Sequence, residues 1–420
     1  MPQFEDAARG RDRAFQVWGL VFYEPVPRPG SWIVKQLARS TSGGAFIPEV
    51  DGLRFLAILG VLIVHTAGDL YFVDGVHEPN WSFGRGLLLR LMGGGWFGVQ
   101  IFFVLSGFIV TLPFARHALA GATPPDLKRY LLRRVTRIEP PYILALTAYF
   151  LAAGAASGNL SELAGHYAAG LVYSHQYIFE TLNPVAQFTW SLEVEVVFYL
   201  LAPWLTRIYR IPGNYPRWAL QAVLILLTAC VAVFRLVPQG PARIENTLVV
   251  MIQYFLAGML LADLYACGLL RRSTQWIWDA AALAGVFGLG AILSGMPGNW
   301  RYYWLTPLLI MVLFAGVMRG RFVNRFFRLP AVTIIGGMCY TLYLWHMAAI
   351  GLLVYRFKPW LAGMPDWAAT VSYCALALPV MVLLCVPIYL LVEKPFMNGA
   401  GSRWLEGVML PYTASRPTSL

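Results

Sequence analysis

Long apolar runs, each about the 20 residues that cross a bilayer as a helix, alternate along the chain with short polar stretches rich in arginine. The pattern predicts membrane-spanning helices at about 49–69, 95–115, 138–157, 188–207, 217–236, 246–267, 275–294, 302–318, 331–352 and 368–392. About ten such spans make an all-α, polytopic transmembrane helical bundle. One stretch breaks the pattern: "GNLSELAGHYAAGLVYSHQYIFETLNPVAQ", residues 158–187, is too polar for a span and too apolar for a free loop. A re-entrant or interfacial segment on the outer side fits it, because non-helical backbone at membrane depth persists only under cover of protein or beside a water-filled cavity. Residues 1–46 and 397–420 read as cytoplasmic extensions on either side of a membrane domain over 47–396.

Composition agrees with the runs. Of 420 residues, 58% are hydrophobic and 13% charged, against roughly 25% charged in soluble domains. A formal net charge of +11 would suggest nucleic acid in a soluble chain, but no interleaved basic and aromatic surface pattern supports that partner. Instead the cations collect on one side of the predicted bundle: Arg116, Lys128, Arg129, Arg133, Arg134 and Arg137, then Arg207, Arg210 and Arg217, then Arg271 and Arg272, then Arg319, Arg321, Arg325 and Arg328. The opposite loops hold only Arg85, Arg90, Arg235, Arg243, Arg301, Arg356 and Lys358. The positive-inside rule therefore predicts cytoplasmic termini and a lipid bilayer as the chain's surroundings. The five cysteines lie in apolar stretches with no C-x-x-C pair and are expected to be packing residues. No apolar core followed by a small-residue cleavage site opens the chain, so a removed signal peptide is not expected. His77, His117, His166 and His175 fall in predicted loops or in 158–187 without metal-ligand spacing, and no metal is expected.

Four stretches carry polar groups where the pattern is otherwise apolar. In "DGLRFLAILGVLIVHT", residues 51–66, eleven residues separate Arg54 from His65. At 100° per residue both side chains share a helix face about 16 Å apart along the axis. Arg54 alone reads equally as an anchor that snorkels to the cytoplasmic rim. His65 lies deeper, where an ionisable group faces a cavity or a partner; histidine also takes a hydroxyl proton readily near neutral pH. In "KRYLLRRVTRIEPPYI", residues 128–143, Arg133, Arg134 and Arg137 fall at spacings that put at least two guanidinium groups on one face. That is either the positive-inside signal or a site for an anionic cytosolic ligand. In "FTWSLEVEVVFYLLAPW", residues 188–204, Glu193 and Glu195 point about 200° apart. One is expected at the aqueous edge and the other inward, unless the pair is an interfacial cap. In "GMCYTLYLWHMAAI", residues 337–350, Tyr340, Tyr343 and a second deep histidine, His346, share a span.

Together these stretches resemble the acyltransferase 3 family, integral membrane enzymes that acylate hydroxyl groups on sugars and related acceptors. Arg54 and His65 match its R-x10-H signature; "FFVLSGF" (102–108, with Ser106) matches "FFxLSGF"; "RRVTRIEPPY" (133–142) matches its arginine motif. "WSLEVE" (190–195, with Trp190 and Ser191) matches "WSLxxE" and points to Glu195 rather than Glu193 as the family's carboxylate. "CYTLYLWH" and "EKPF" (393–396) match "SYxxYLxH" and "E-(K/R)-P". The motifs run in order from about 47 to 396. Cys339 stands where serine is common, and Val196 and Val197 replace a polar pair, which implies a less polar acceptor pocket. No hydrolase-like domain follows the membrane domain as in some relatives, so the membrane domain is expected to act alone.

The resemblance implies an O-acyltransferase, with acetyl as the default acyl group, in a bacterial inner membrane. Acetyl-CoA or another acyl-CoA would be the co-substrate, its phosphates held by Arg133, Arg134 and Arg137. His65 would be the general base or a transient acyl carrier, with Arg54 positioning the donor or stabilising the oxyanion. Glu195 completes the expected catalytic set; Ser106, Trp190, Ser191, Tyr340, Tyr343 and His346 would line the side facing a glycan or other hydroxyl-bearing acceptor. Buried histidines and a buried arginine also suit a proton-coupled secondary transporter. Transporters, however, show paired halves with corresponding broken spans, whereas the motifs here concentrate in the first 205 residues.

Overall fold

The computed structural model describes residues 13–17, 20–24, 37, 39, 46–72, 94–233, 246–271, 274–293, 299–361 and 363–397. His77, Arg85, Arg90, Arg235, Arg243, Arg272 and most of 1–46 and 397–420 lie outside them. The chain divides into two units, Met1–Ala38 and Arg39–Leu420. The described part of the first is an antiparallel hairpin of β1 (Arg13–Val17) and β2 (Leu20–Glu24), with Phe15 opposite Phe22. In the second unit every described element is helical.

Among the described residues, seven stretches are long and apolar enough to cross a membrane, and an eighth joins them if one bent pair is a single span. The chain is thus an integral membrane protein. Helices α1 (Pro48–Phe72) and α2 (Phe97–Ala120) fill the first two expected runs. Next, α3 (Leu127–Ser157) starts about ten residues earlier than expected, because Asp126 caps it by accepting the Lys128 and Arg129 N–H groups at 2.9 and 3.2 Å. The arginine motif therefore lies on the helix rather than before it. At 31 residues α3 is about 46 Å long against a hydrocarbon core of about 30 Å, which leaves room for that charged end beyond the lipid tails.

Residues 158–187 are not a loop. Gly158, in the left-handed region at φ +69°, ends α3, and two short helices follow, α4 (Leu160–Leu171) and α5 (His175–Phe179). They are tied to α3 by the Tyr142 hydroxyl, which donates to the Gly170 carbonyl at 2.8 Å, and by the stacked rings of Tyr142 and Tyr173. Helix α6 (Trp190–Leu205) then carries the paired glutamates. Helix α7 (Asn214–Val231) covers the run expected at 217–236 but is not among the seven. It is followed by α8 (Leu248–Ala266), α9 (Ile277–Leu293, apolar but short) and α10 (Thr306–Arg319).

Two contacts set the bundle's interior. Helices α2 and α8 cross backbone to backbone: a Cβ on Gly107 would lie 2.3 Å from the Phe255 carbonyl oxygen, and one on Gly258 would lie 2.1 Å from that of Val104. This is the small-residue contact that lets membrane helices pack closely. Helix α8 is in turn clamped to α7 by Asp263, which is fully buried. It accepts two bonds from Arg217 (2.5 and 2.9 Å), one from Trp218 Nε1 (2.8 Å) and one from Gln221 Nε2 (2.9 Å).

The run expected as one span at 331–352 is broken. After a short α11 (Phe322–Phe327), α12 (Pro330–Gly337) and α13 (Cys339–Leu361) meet at 71°. The break sits beside α1, where a Cβ on Gly336 would lie 1.8 Å from the Asp51 carbonyl oxygen. Only a glycine admits that approach, so the α12 backbone packs directly on α1 just before the chain bends. The last span is α14 (Asp366–Ile388) with a π-helical turn over Tyr389–Glu393.

Asp263→Ala strands a buried guanidinium together with indole and amide N–H groups, and is expected to cost about 3–5 kcal/mol. Thermal unfolding in detergent, monitored by tryptophan fluorescence, should show a large loss. An unchanged transition would mean that the clamp does not hold α7 to α8.

Candidate active site

A cavity of about 110 Å³ runs between α1, α2, α3, α6 and α13. Its lining includes Arg54, Ser106, Arg134, Arg137, Ser191, Glu195, Tyr199, Cys339, Tyr340 and Tyr343. Five separate sequence stretches are thereby gathered on one space. It adjoins a vestibule of about 330 Å³ that shares Arg54 and Ile109 with it and adds Arg39, Asp51 and Arg116.

At the arginine end, Asp51 Oδ1 accepts from both Arg39 Nη1 (2.8 Å) and Arg54 Nη1. One carboxylate thus neutralises part of a cluster that Arg134 and Arg137 join from α3. Arg134 lies over the rings of Tyr199 (5.4 Å) and Tyr130 (5.8 Å), contacts that favour a cation in a poorly hydrated place. Arg133 takes the other side of α3, where it is exposed and does not line the cavity. The expected pair on one face is therefore Arg134 with Arg137.

Midway, Glu195 accepts from the Ser106 hydroxyl at 2.7 Å and from the Tyr199 hydroxyl. The 200° divergence from Glu193 is realised, but not with one carboxylate at the aqueous edge. Glu193 is 2% exposed and accepts the Gln176 N–H at 3.0 Å, bracing the start of α5. The physical reason is that α4 and α5 cover this face of α6, which the sequence pattern of α6 alone does not reveal.

At the far end the Tyr343 hydroxyl donates to the Phe188 carbonyl at 2.8 Å, so the Ser191 hydroxyl, 2.6 Å away, must donate to Tyr343. Beyond Tyr343 the cavity wall is aromatic. His346 packs on Tyr343 and Phe188, each at 5.6 Å, and on His65 at 4.9 Å, while His65 also meets Trp96 at 5.5 Å. The two deep histidines, 281 positions apart in sequence, are therefore ring neighbours, just outside the cavity lining. Trp190 is half-buried and packs edge-on against Phe103 at 6.1 Å rather than lining the cavity. Tyr340 donates to the Ile138 carbonyl at 2.9 Å and ties α13 to α3.

Asp51, Arg39 and Tyr199 belong to this arrangement and were not singled out by the sequence reading. Asp51 lies three residues before Arg54 and Tyr199 four after Glu195, both helix-neighbour spacings. Arg39 lies outside any periodic run and gave no such signal. Cys339, expected as packing, lines the cavity. Among the described residues no three His, Cys, Asp or Glu side chains gather as a metal site.

The sequence of the chain matches known proteins. The family model described as "Acyltransferase domain" matches residues 47–389, and the chain belongs to the acyltransferase 3 family. A Staphylococcus aureus (strain COL) protein named "Putative O-acetyltransferase SACOL0978" is 26% identical over 335 residues, covering 73% of this chain and 51% of its own length. "O-acetyltransferase OatA" of Staphylococcus aureus (strain NCTC 8325 / PS 47) is 23% identical over 333 residues with the same coverage. The chain spans about half the length of the curated relatives it matches. No solved structure matches it.

One titration is expected to show in the segment behind Glu193. His175 is buried and shares a 2.8 Å ring-to-ring hydrogen bond with His166. Burial, with the neighbouring His166 adding to it, lowers its pKa below the ordinary value. The unfolded segment then takes up a proton first as pH falls, so stability is full above about pH 6.5 and is lost below it. Hydrogen exchange of 160–180 should show protection falling between about pH 7 and pH 5; constant protection would contradict this.

Proposed function

We propose that the protein is a membrane O-acyltransferase, most simply an O-acetyltransferase, that moves an acyl group from cytoplasmic acyl-CoA to a hydroxyl of a sugar or glycan. The observation that carries the reading is the cavity that links Arg54, Arg134 and Arg137 at one end to Ser191 and Tyr343 at the other, with His65 just beyond through His346. A donor with an anionic head and a long, flexible, thioester-ended arm suits that layout. The relatives' printed names, both O-acetyltransferases, favour the acetyl group.

In this reading the donor's phosphates are held by Arg134 and Arg137 together with Arg54, while Arg133 serves the approach from the rim. Arg54 belongs to the donor end: eleven residues place it about 16 Å along α1 from His65, beyond reach of an oxyanion formed there. His65 takes the proton of the acceptor hydroxyl as its oxygen attacks the thioester carbonyl. The C–O bond forms, the C–S bond breaks, and the histidine returns the proton to the departing thiolate. An acyl-histidine intermediate would reach the same products in two displacements. Glu195, Ser106 and Ser191 supply polar contacts along the acyl and acceptor path. The topology that fits has about ten spans, both termini in the cytoplasm of a bacterial inner membrane, and α4–α5 lying at the outer interface.

Two variants separate binding from chemistry. His65→Ala should retain acetyl-CoA binding and lose acyl transfer by about 10²–10⁴-fold, the share of a positioned base. Arg134→Ala with Arg137→Ala should weaken acetyl-CoA binding about a hundredfold, two charge-assisted contacts at about 1.5 kcal/mol each. Calorimetry and a radiolabelled acetyl-transfer assay read the two effects. Full activity in His65→Ala would refute the mechanism, and a folded wild type that binds no acyl-CoA would refute the donor assignment.

A further inference from the structure

His346 is more than a wall of the acceptor side. It is 1% exposed, and its Nδ1 lies 2.6 Å from the Tyr343 carbonyl oxygen. A carbonyl only accepts, so Nδ1 carries the proton and Nε2 of the neutral ring is a bare acceptor. That Nε2 is buried and has no hydrogen-bond partner among the described residues. An unmet buried acceptor costs about 1–3 kcal/mol, so its persistence calls for a donor. The rings around it are those of Phe188 and Tyr343, whose hydroxyl proton is already given to Phe188, and that of His65.

The protein contains its own measure of what the His65 pair can do. His166 and His175, joined by a 2.8 Å bond between ring nitrogens, have ring centres 5.0 Å apart and planes tilted by 36°. The centres of His65 and His346 are 4.9 Å apart with a tilt of 50°. The separation falls within the span of a hydrogen-bonded histidine pair, so the two rings are near enough for a nitrogen of one to meet a nitrogen of the other.

We infer that His346 Nε2 is the fixed acceptor for one N–H of His65, holding His65 in the tautomer whose other nitrogen is bare and turned toward the acceptor hydroxyl. This rests on the reading of His65 as the reacting histidine. While His65 carries the hydroxyl proton, its other N–H stays bonded to His346, which spreads the charge in a place with little water; the proton then leaves with the thiolate and the original tautomer returns. No proton is lost or gained by His346. It is a positioning residue, anchored through Tyr343, the residue whose hydroxyl lines the cavity. The arrangement does for two imidazoles what a carboxylate does for the histidine of a serine-protease triad, where the wrong tautomer costs about 10⁴-fold.

The test compares His346→Phe, which fills the space but accepts nothing, with His346→Gln, whose amide oxygen accepts. Each is measured for acetyl-CoA binding, for kcat and KM in acetyl transfer, and beside His65→Ala and the double variant His65→Ala/His346→Phe. His346→Phe is expected to bind acetyl-CoA as wild type does, with donor KM unchanged and kcat down about 10²–10⁴-fold. His346→Gln should recover at least about tenfold of that, one hydrogen bond to a charged group. The double variant should fall no further than His65→Ala, since the two rings act as a unit. Near-wild-type kcat in His346→Phe beside an inactive His65→Ala would overturn the inference while leaving the proposed function standing. So would a His346→Gln that binds acetyl-CoA yet is as inactive as His346→Phe. An active His65→Ala would overturn both.

Discussion

The approach of Gly336 to the Asp51 carbonyl is the contact on which the rest of the site depends. It fixes the start of α1 against the end of α12 with no room for a side chain, and it sits where the chain bends by 71° into α13. Helix α1 carries Arg54 and His65; α13 carries Tyr340, Tyr343 and His346. Their register is therefore set at one end by a backbone contact that cannot slide, and the rigid rise of two helices carries it to the other end. The meeting of His65 with His346 lies along the same two helices. A larger residue at 336 would displace Asp51 as well, and with it the carboxylate that Arg39 and Arg54 share.

Charge is arranged to match. Cations gather where α1 begins and α3 is still outside the apolar span, offset there by Asp51 and approached by the buried Glu393, whose Oε2 accepts from the Thr341 N–H and hydroxyl at 3.0 and 2.5 Å. Farther along the cavity the polar groups are hydroxyls and one carboxylate, and two imidazoles lie just outside its lining. An excess of positive charge at one end and hydrogen-bonding groups without a cation at the other is a gradient suited to a ligand that is anionic at one end only. Holding such a gradient at low dielectric requires that most buried polar atoms be paired, and the Glu195–Ser106–Tyr199 and Ser191–Tyr343–Phe188 networks do this.

Much of this was legible in the sequence, and the failures have identifiable causes. The apolar runs located the helices because length and composition decide what crosses a bilayer. His65 and His346 stood out because an ionisable group inside such a run needs a reason. The broken α12–α13 span was not legible, since an apolar run reads the same whether straight or bent. The early start of α3 was legible in principle from Asp126, a capping residue just ahead of the basic turn. The burial of Glu193 was not, because it depends on α4 and α5 folding back over α6. Arg39 stands outside every periodic pattern, so only the fold could bring it to Asp51.

Burial is unequal among the spans. About three-quarters of the most apolar stretch of α1 and of α8 is covered by the rest of the protein (72% and 78%), against 28% for α3 and 22% for the last span. Leu383 and Leu391 on that last span are turned outward. Membranes differ in thickness, and helices answer by tilting at a cost of fractions of a kcal/mol per Å. Here the outer helices meet that mismatch first, while the axis bearing Arg54 and His65 is shielded from the lipid by its neighbours. The distance between the two ends of the site is thereby buffered against changes in the composition of the surrounding bilayer.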